Sequence, residues 1–225
     1  MTFSIAGRCP ETGQFGIAIS SSSIAVGARC PWLLPGVGAV SSQNITLPSL
    51  GPEVLALLEQ GLAPAAALDQ VLTRNGYSQY RQIIAIDHLG QTAHFSGGQT
   101  LGVHDAVAGE QCVAAGNMLA GRAVIAAMVG AFEDGEGQLA DRLIRALQAG
   151  QAHGGEAGPV HSAAVMVVGD LTWPIVNLRV DWAEADPIGQ LQTLWEAYRP
   201  QLQDYIDRAL DPAKAPGYGV AGDDR

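Results

Sequence analysis

The fold of this chain is best predicted from residues 2–32, which read TFSIAGRCPETGQFGIAISSSSIAVGARCPW. Two apolar runs, residues 2–8 and 14–20, flank a short segment at residues 9–13 that contains the Pro and Gly typical of tight turns. The pattern predicts a β-hairpin. A run of four serines, residues 20–23, follows the second strand and therefore returns to the level of residue 2.

The register of this hairpin can be predicted from its large apolar side chains. Keeping them on one face pairs Phe3 with Ile19 and places Thr2 opposite Ser20. A turn one residue shorter places Ser21 there instead, and the sequence leaves both registers open. In either case serine hydroxyls lie beside Thr2.

Outward from the hairpin, strands and helices come in separate groups. Further strands are predicted at residues 25–29, 36–43, 81–87, 92–96, 111–115, 162–168 and 175–181. Helical periodicity predicts two helices within residues 50–75 and others at 122–133, 138–151 and 187–210. This order favours an α+β fold of two sheets packed face to face with helices on the outer faces, whereas a doubly wound fold requires strict alternation.

The length and charge of the chain limit its organisation and partners. We expect one domain over residues 1–210 and a disordered tail over 211–225, which is rich in Gly, Pro and Asp. A net charge of −10, from 12 basic and 22 acidic residues, argues against nucleic acid as a partner. No signal peptide or membrane span is recognisable, so we expect a cytoplasmic protein, and exposed sheet edges make a homo-oligomer plausible.

Thr2 is the sharpest chemical feature. Removal of Met1 would leave a free α-amine on the residue that carries the hydroxyl, so one residue would hold both nucleophile and base. An α-amine with a pKa near ~7.7–8.0 is partly neutral at cellular pH and can accept the hydroxyl proton. Threonine is also a common strand residue, which is the structural alternative.

Other polar residues stand at predicted strand ends. Ser20 could orient the amine, and Asn117 could donate a hydrogen bond to an oxyanion, so both join Thr2 as catalytic candidates. The candidates for substrate binding are Ser21, Ser22, Gln43, Asn44, Ser96, Gly97 and Asp181. Each of them also has a structural interpretation as a loop, cap, turn or ion-pair residue.

Neither a metal nor another cofactor is expected. The histidines lack ligand spacing, and the three cysteines lack paired CxxC motifs. Cys9, Cys30 and Cys112 are therefore expected to be small buried thiols, although a cysteine nucleophile is a rival to Thr2.

Together with residues 2–32, the stretches GVGAVSSQ (36–43), GNMLAG (116–121), SAAVMVV (162–168) and LRVD (178–181) make the chain resemble the family called domain of unknown function 1028. That family is assigned to the N-terminal-nucleophile (Ntn) hydrolase superfamily. The resemblance extends to about residue 195. It implies a four-layer αββα sandwich, Thr2 as nucleophile, and a pocket around Ser20–Ser23, Gln43, Ser96 and Asn117, but no substrate.

The sequence departs from the family pattern at Ser22 and Ser23, at Trp182 after LRVD, and at His161. These changes leave Thr2 intact and bear on the shape of the pocket. The sequence therefore predicts an amidohydrolase that cleaves a small-molecule or peptide-like amide through Thr2. The alternative is a catalytically inactive protein that binds a small ligand on the same fold.

Overall fold

The computed structural model describes residues 2–223. Its strands are β1 (Thr2–Arg8), β2 (Phe15–Ser21), β3 (Pro31–Leu34), β4 (Gly38–Asn44), β5 (Arg81–Asp87), β6 (Thr92–Ser96), β7 (Asp105–Gly109), β8 (Cys112–Asn117), β9 (Ser162–Val168) and β10 (Val176–Val180). Its helices are α1 (Leu50–Glu59), α2 (Pro64–Arg74), α3 (Ala123–Glu133), α4 (Leu139–Ala152), α5 (Pro187–Tyr198) and α6 (Leu202–Leu210).

Over residues 2–223 the strands form two antiparallel sheets. The larger sheet has the order β10-β9-β2-β1-β8-β7, and the smaller has the order β3-β4-β5-β6. Helices α3, α4 and α5 pack on the outer face of the larger sheet, and α1 and α2 pack on that of the smaller one. The inner faces meet in a third apolar cluster. The predicted αββα sandwich is confirmed.

Strand β1 lies inside the larger sheet, between β2 and β8. Its side chains alternate between the two layers. Phe3 and Ile5 pack among the helices, whereas Ala6 packs between the sheets. Thr2 and Ser4 share the face of Ala6, so the hydroxyls of β1 point into the interior of the sandwich.

The hairpin adopts the second of the two predicted registers. Phe3 pairs with Ser20, and the residue level with Thr2 is therefore Ser21. The pairing of Phe3 with Ile19 is wrong because both faces of the sheet are buried. Large residues of one strand lie beside small residues of the other, as Ile5 lies beside Ala18, and both layers are filled evenly.

Several element predictions need correction. Residues 25–29 are not a strand: Ala25 has a left-handed backbone with φ 52°, and a 3-10 helix follows at Val26–Ala28. Gly27 allows this turn to lie on β9, because a Cβ there would overlap Ala164. The predicted helix over 187–210 is interrupted at Arg199–Gln201, a 3-10 turn that contains Pro200.

Strands β3 and β7 were not predicted. Both are edge strands of only four and five residues, which is too short for a period of two to stand out in the sequence. Within residues 2–223 no helix combines the length and the apolar character that crossing a membrane requires. Arg208 in α6 binds the carbonyls of Pro216 and Gly217 in the tail, and Met1, Asp224 and Arg225 lie outside the described residues.

Candidate active site

Thr2 lies at the first position of β1 and is only 5% exposed. On one side it pairs with Asn117, the last residue of β8. On the other side its Oγ1 is 3.3 Å from Oγ of Ser21, the last residue of β2. Antiparallel pairing thus brings one strand start and two strand ends to the same point, because β1 runs opposite to both neighbours.

Ser21 and Ser20 face opposite layers. The Ser21 hydroxyl also accepts a hydrogen bond of 3.0 Å from the Ser23 backbone N–H, which fixes it beside Thr2. The Ser20 hydroxyl donates to the Ser162 carbonyl at 3.0 Å on the other face of the sheet. The structure therefore brings Ser21 to Thr2, and it does not bring the Ser20 side chain there.

Buried amides connect the two sheets next to this point. Oε1 of Gln82 accepts hydrogen bonds from Nε2 of Gln43 at 2.9 Å and from Nδ2 of Asn117 at 3.0 Å. Nε2 of Gln82 donates to the Gly116 carbonyl and to Ser96 Oγ, each at 3.0 Å. We call Gln43, Gln82 and Asn117, together with Ser96, the amide network.

Gln82 was not among the predicted site residues. It is fully buried at the start of β5, where Arg81 precedes it and the apolar run begins only at Ile83, so the sequence alone does not distinguish it from a solvated strand end. Ser4 joins Thr2's strand to the amide network, because its Oγ donates to Gln43 Oε1 at 2.7 Å. The network thus positions Asn117 rigidly.

The side-chain amide of Asn117 is hydrogen-bonded through its nitrogen but not through its oxygen. Its Nδ2 donates to Gln82, whereas its Oδ1 is buried and has no hydrogen-bond partner among the described residues. A buried polar atom without a partner costs about 1–3 kcal/mol, so it marks a place where a donor is expected. A nearby ammonium group or substrate N–H would satisfy it.

Glu156 is a buried carboxyl that the sequence did not single out. It is 4% exposed, and both of its oxygens lie near the Ser22 backbone N–H, at 3.1 and 3.3 Å. Its backbone bridges to Leu119, two residues beyond Asn117. Burial raises the pKa of Glu156 to about 7, although the Ser22 hydrogen bonds and nearby His161 oppose that shift.

The remaining substrate-binding candidates, Asn44, Gly97 and Asp181, have structural partners of their own. Asn44 has φ 71° and joins two loops, donating to the Tyr80 carbonyl at 2.7 Å. The Gly97 N–H donates to the Arg81 carbonyl at 3.0 Å. Asp181 is exposed and forms an ion pair of 3.0 Å with Arg179.

His161 and Trp182 contact each other. The rings of His161 and Trp182 stack with centroids 4.4 Å apart, and His161 Nδ1 lies 2.8 Å from the Ala183 carbonyl. These two residues therefore form one structural unit, which lies near Glu156.

The pKa shifts of the three cysteine thiols bear on whether a cysteine, and not Thr2, is the nucleophile. Burial raises the pKa of Cys30 to about 11 and that of Cys112 to about 12, so both remain protonated and unreactive near neutral pH. Cys9 is half-buried and not a buried thiol as expected. Partial burial acts to raise its pKa, but hydrogen bonds with Thr12 and Glu11 together outweigh it and the net shift is downward. Cys9 follows the far end of β1 from Thr2. No cluster of three or more His, Cys, Asp or Glu among residues 2–223 could hold a metal ion.

Comparison with known proteins relates the chain to one protein family. The model of a family of unknown function, DUF1028, matches residues 2–191. A crystal structure of a DUF1028 protein from Silicibacter pomeroyi is similar with a TM-score of 0.85 and 32% identity, covering 91% of this chain and 89% of that one. No curated protein matches the sequence.

Two more distant structures are Anbu (ancestral beta-subunit) from Yersinia bercovieri and Anbu from Hyphomicrobium sp. strain MC1. Their identities are 11% and 10%, each with a TM-score of 0.39 and coverage of 97% of this chain and 100% of the other. Similarity this low carries no argument about function. The match over residues 2–191 and the similar crystal structure show that this chain belongs to the DUF1028 family.

Proposed function

We propose that this protein is an Ntn-type amidohydrolase in which Thr2, freed by removal of Met1, cleaves the C–N bond of a small-molecule or peptide-like amide. The observation that carries the proposal is the position of the Thr2 hydroxyl. It is buried on a central strand, 3.3 Å from the Ser21 hydroxyl and paired with Asn117. A central strand holds the nucleophile rigidly, as preorganised catalysis requires.

The reaction needs only groups at this point. The neutral α-amine of Thr2 takes the proton from Oγ1 as Oγ1 bonds to the substrate carbonyl carbon. The resulting ammonium then gives that proton to the leaving nitrogen as the C–N bond breaks. Water attacks the acyl-enzyme ester while the amine accepts a proton from it. The bond between the carbonyl carbon and Oγ1 then breaks, the ammonium returns that proton to Oγ1, and the carboxylic acid leaves.

The oxyanion formed in this reaction needs a donor. Asn117 Nδ2 makes a hydrogen bond to Gln82 with one hydrogen, and its second hydrogen can serve the oxyanion. The Gly97 N–H, a candidate from the sequence, already donates to Arg81 and is left out of the mechanism. Removing one such donor typically lowers the rate by ~100-fold or more.

Replacing Thr2 tests the proposal without a known substrate. Protein that begins at Thr2 should be acylated by members of a panel of β-lactones, which react with nucleophilic hydroxyls, and tandem mass spectrometry should locate the ester on Thr2. Thr2→Ala should abolish this labelling, while Thr12→Ala, in the exposed hairpin turn, should leave it unchanged. Labelling that persists in folded Thr2→Ala would refute the proposal.

A second candidate is a protein that binds a small ligand at the same place without catalysis. The closed geometry favours it, because Thr2 is 5% exposed and the amide network is bonded within itself. Intact mass of the protein from its native host separates the two. Loss of Met1 supports the hydrolase, and its retention in every molecule supports the binding protein.

We further propose that the protein acts in the cytoplasm as a homo-oligomer, without nucleic acid or membrane partners. The net charge of −10 supports the exclusion of nucleic acid. Sedimentation measurements over a range of concentrations test the oligomer directly.

A further inference from the structure

Glu156 is buried, ionisable and unused by the mechanism above. The ion pairs within residues 2–223 are Arg179–Asp181, Arg199–Asp141, Arg208–Asp204 and Lys214–Asp211, and none of them involves Glu156. Buried carboxylates are otherwise paired with a cation or kept neutral. His161 is the titratable side chain near Glu156 among the described residues, but it forms no ion pair with the carboxyl, which leaves a place for a further cation.

The position of Glu156 shows where that cation belongs. In the larger sheet β1 lies between β2 and β8, and Thr2 begins β1. Glu156 binds the N–H of Ser22, just beyond β2, and pairs with Leu119, just beyond β8. It thus spans the two strands that flank β1, at the end of β1 where Thr2 lies.

The unengaged Oδ1 of Asn117 is a second acceptor at the same end of β1. Asn117 pairs with Thr2, and its Oδ1 is buried without a partner among the described residues. An α-ammonium group carries a positive charge and three hydrogens. It is the group that would satisfy a carboxylate and an amide oxygen together.

We propose that Glu156 is a positioning residue that binds the α-amine of Thr2, with Asn117 Oδ1 as the second acceptor. The inference rests on the proposed function only in requiring that Thr2 be the first residue. Glu156 holds the amine toward the Thr2 hydroxyl and stabilises its protonated form. Burial raises the pKa of Glu156, and a positive charge beside the carboxyl opposes that shift.

The test measures the amine itself. Protein is made with a leader that a protease removes immediately before Thr2, and it is labelled with ¹⁵N-threonine, so the α-amine resonance separates from the backbone amides. A pH titration then gives the pKa of the amine. Glu156→Gln removes the charge and keeps an acceptor for the Ser22 N–H, so the fold should be preserved.

We expect the α-amine pKa to fall by about one unit or more in Glu156→Gln, because a nearby opposite charge favours the protonated amine. Glu110→Gln is the matched control, since it removes the same charge from an exposed turn at the other end of β8. It should leave the α-amine pKa unchanged. An equal α-amine pKa in wild type and Glu156→Gln would overturn the proposal.

A reciprocal measurement covers the case in which Glu156→Gln does not fold. Nα-acetylation of wild-type protein removes the positive charge without changing a side chain. ¹³C-glutamate labelling should then show a higher pKa for the Glu156 carboxyl in acetylated than in free protein, and an unchanged pKa would overturn the proposal.

The test is also distinguishable from that of the proposed function. A shifted α-amine pKa without acylation of Thr2 would refute the hydrolase and keep the Glu156 contact. Acylation of Thr2 with an unshifted α-amine pKa would support the hydrolase and overturn the contact between Glu156 and the amine. If both hold, the pH at which β-lactone labelling reaches half its maximal rate should move down in Glu156→Gln together with the α-amine pKa.

Discussion

Ser21 and Ser20 are adjacent residues with opposite environments, and they offer a direct test of the site. Ser21 Oγ lies 3.3 Å from Thr2 Oγ1, whereas Ser20 binds the Ser162 carbonyl on the other face of the sheet. We expect Ser21→Ala to slow β-lactone acylation of Thr2 by about 5–10-fold, the value of one hydrogen bond.

The matched control is Ser20→Ala. It should lower stability by about 1 kcal/mol through the lost bond to Ser162 and leave the acylation rate of folded protein unchanged. The reverse ranking of the two acylation rates would mean that Ser21 does not support the nucleophile.

The sequence predicted the residues along the hairpin but not those that reach it from afar. Thr2 and a serine at its level follow from the period of two residues in a strand. Gln82 and Glu156 contact this region from loops and strands far along the chain, and no local period connects them. These two residues matter to the site because they are buried. Whether a single polar residue is buried depends on tertiary packing, which the local sequence pattern does not show.

Glu156 should also make stability depend on pH. Its pKa is raised from 4.5 to about 7 in the folded protein, so the folded state holds its proton more tightly than the unfolded state. Stabilisation from this proton is complete below about pH 4.5 and is lost as the pH rises through 7. We expect wild type to lose on the order of 2–3 kcal/mol relative to Glu156→Gln across that window.

Chemical denaturation of Nα-acetylated proteins at several pH values measures this difference without interference from the α-amine. Glu110→Gln removes the same charge from an exposed position and is the control for the charge change itself. A constant difference between Glu156→Gln and wild type would show that the Glu156 carboxyl titrates normally.

Among the elements, α4 and β2 make a close contact that depends on a glycine. A Cβ at Gly16 would overlap Leu143 of α4 and lie 3.1 Å from the Met166 carbonyl of β9. We expect Gly16→Ala to destabilise the protein by about 1–3 kcal/mol, the usual cost of overpacking. Urea denaturation monitored by circular dichroism measures it.

Gly130 is the matched control for this substitution. It lies within α3, and a Cβ there meets nothing within 4 Å. Gly130→Ala should stabilise the protein by about 0.5–1 kcal/mol, because alanine loses less backbone entropy in a helix. Equal effects at the two glycines would mean that close contact between α4 and β2 does not determine this packing.

Helices and strands were predicted correctly where the apolar residues kept one period along the whole element. The predictions failed where tertiary contacts determined the local structure. The helices α1 to α4 and the buried strands carry clear periodicity. The segment 25–29 is apolar like a strand, but Gly27 packs against β9 and the backbone turns at Ala25. Edge strands β3 and β7 have four and five residues, and such short segments show no clear period even where their residues are apolar.

At the scale of the whole molecule, the sandwich places the start of its first strand inside the protein. β1 is flanked by β2 and β8, its outer face is covered by helices, and its inner face meets the smaller sheet. Thr2 is consequently 5% exposed. An aminopeptidase must draw an extended chain end into its own active site, so folding should compete with removal of Met1.

We therefore predict that Met1 is removed before β1 is in place. Protein made with Met1 retained, by inhibiting methionine aminopeptidase during expression, should lose it at least ~10-fold more slowly when folded than when partly unfolded in urea, provided that the enzyme stays active. A variant with a flexible Met-Thr-Gly-Ser leader ahead of residue 2 is the control, and it should be cleaved equally fast in both states. Rapid cleavage of folded protein would mean that β1 detaches readily. The nucleophile would then be held less rigidly than the central strand implies.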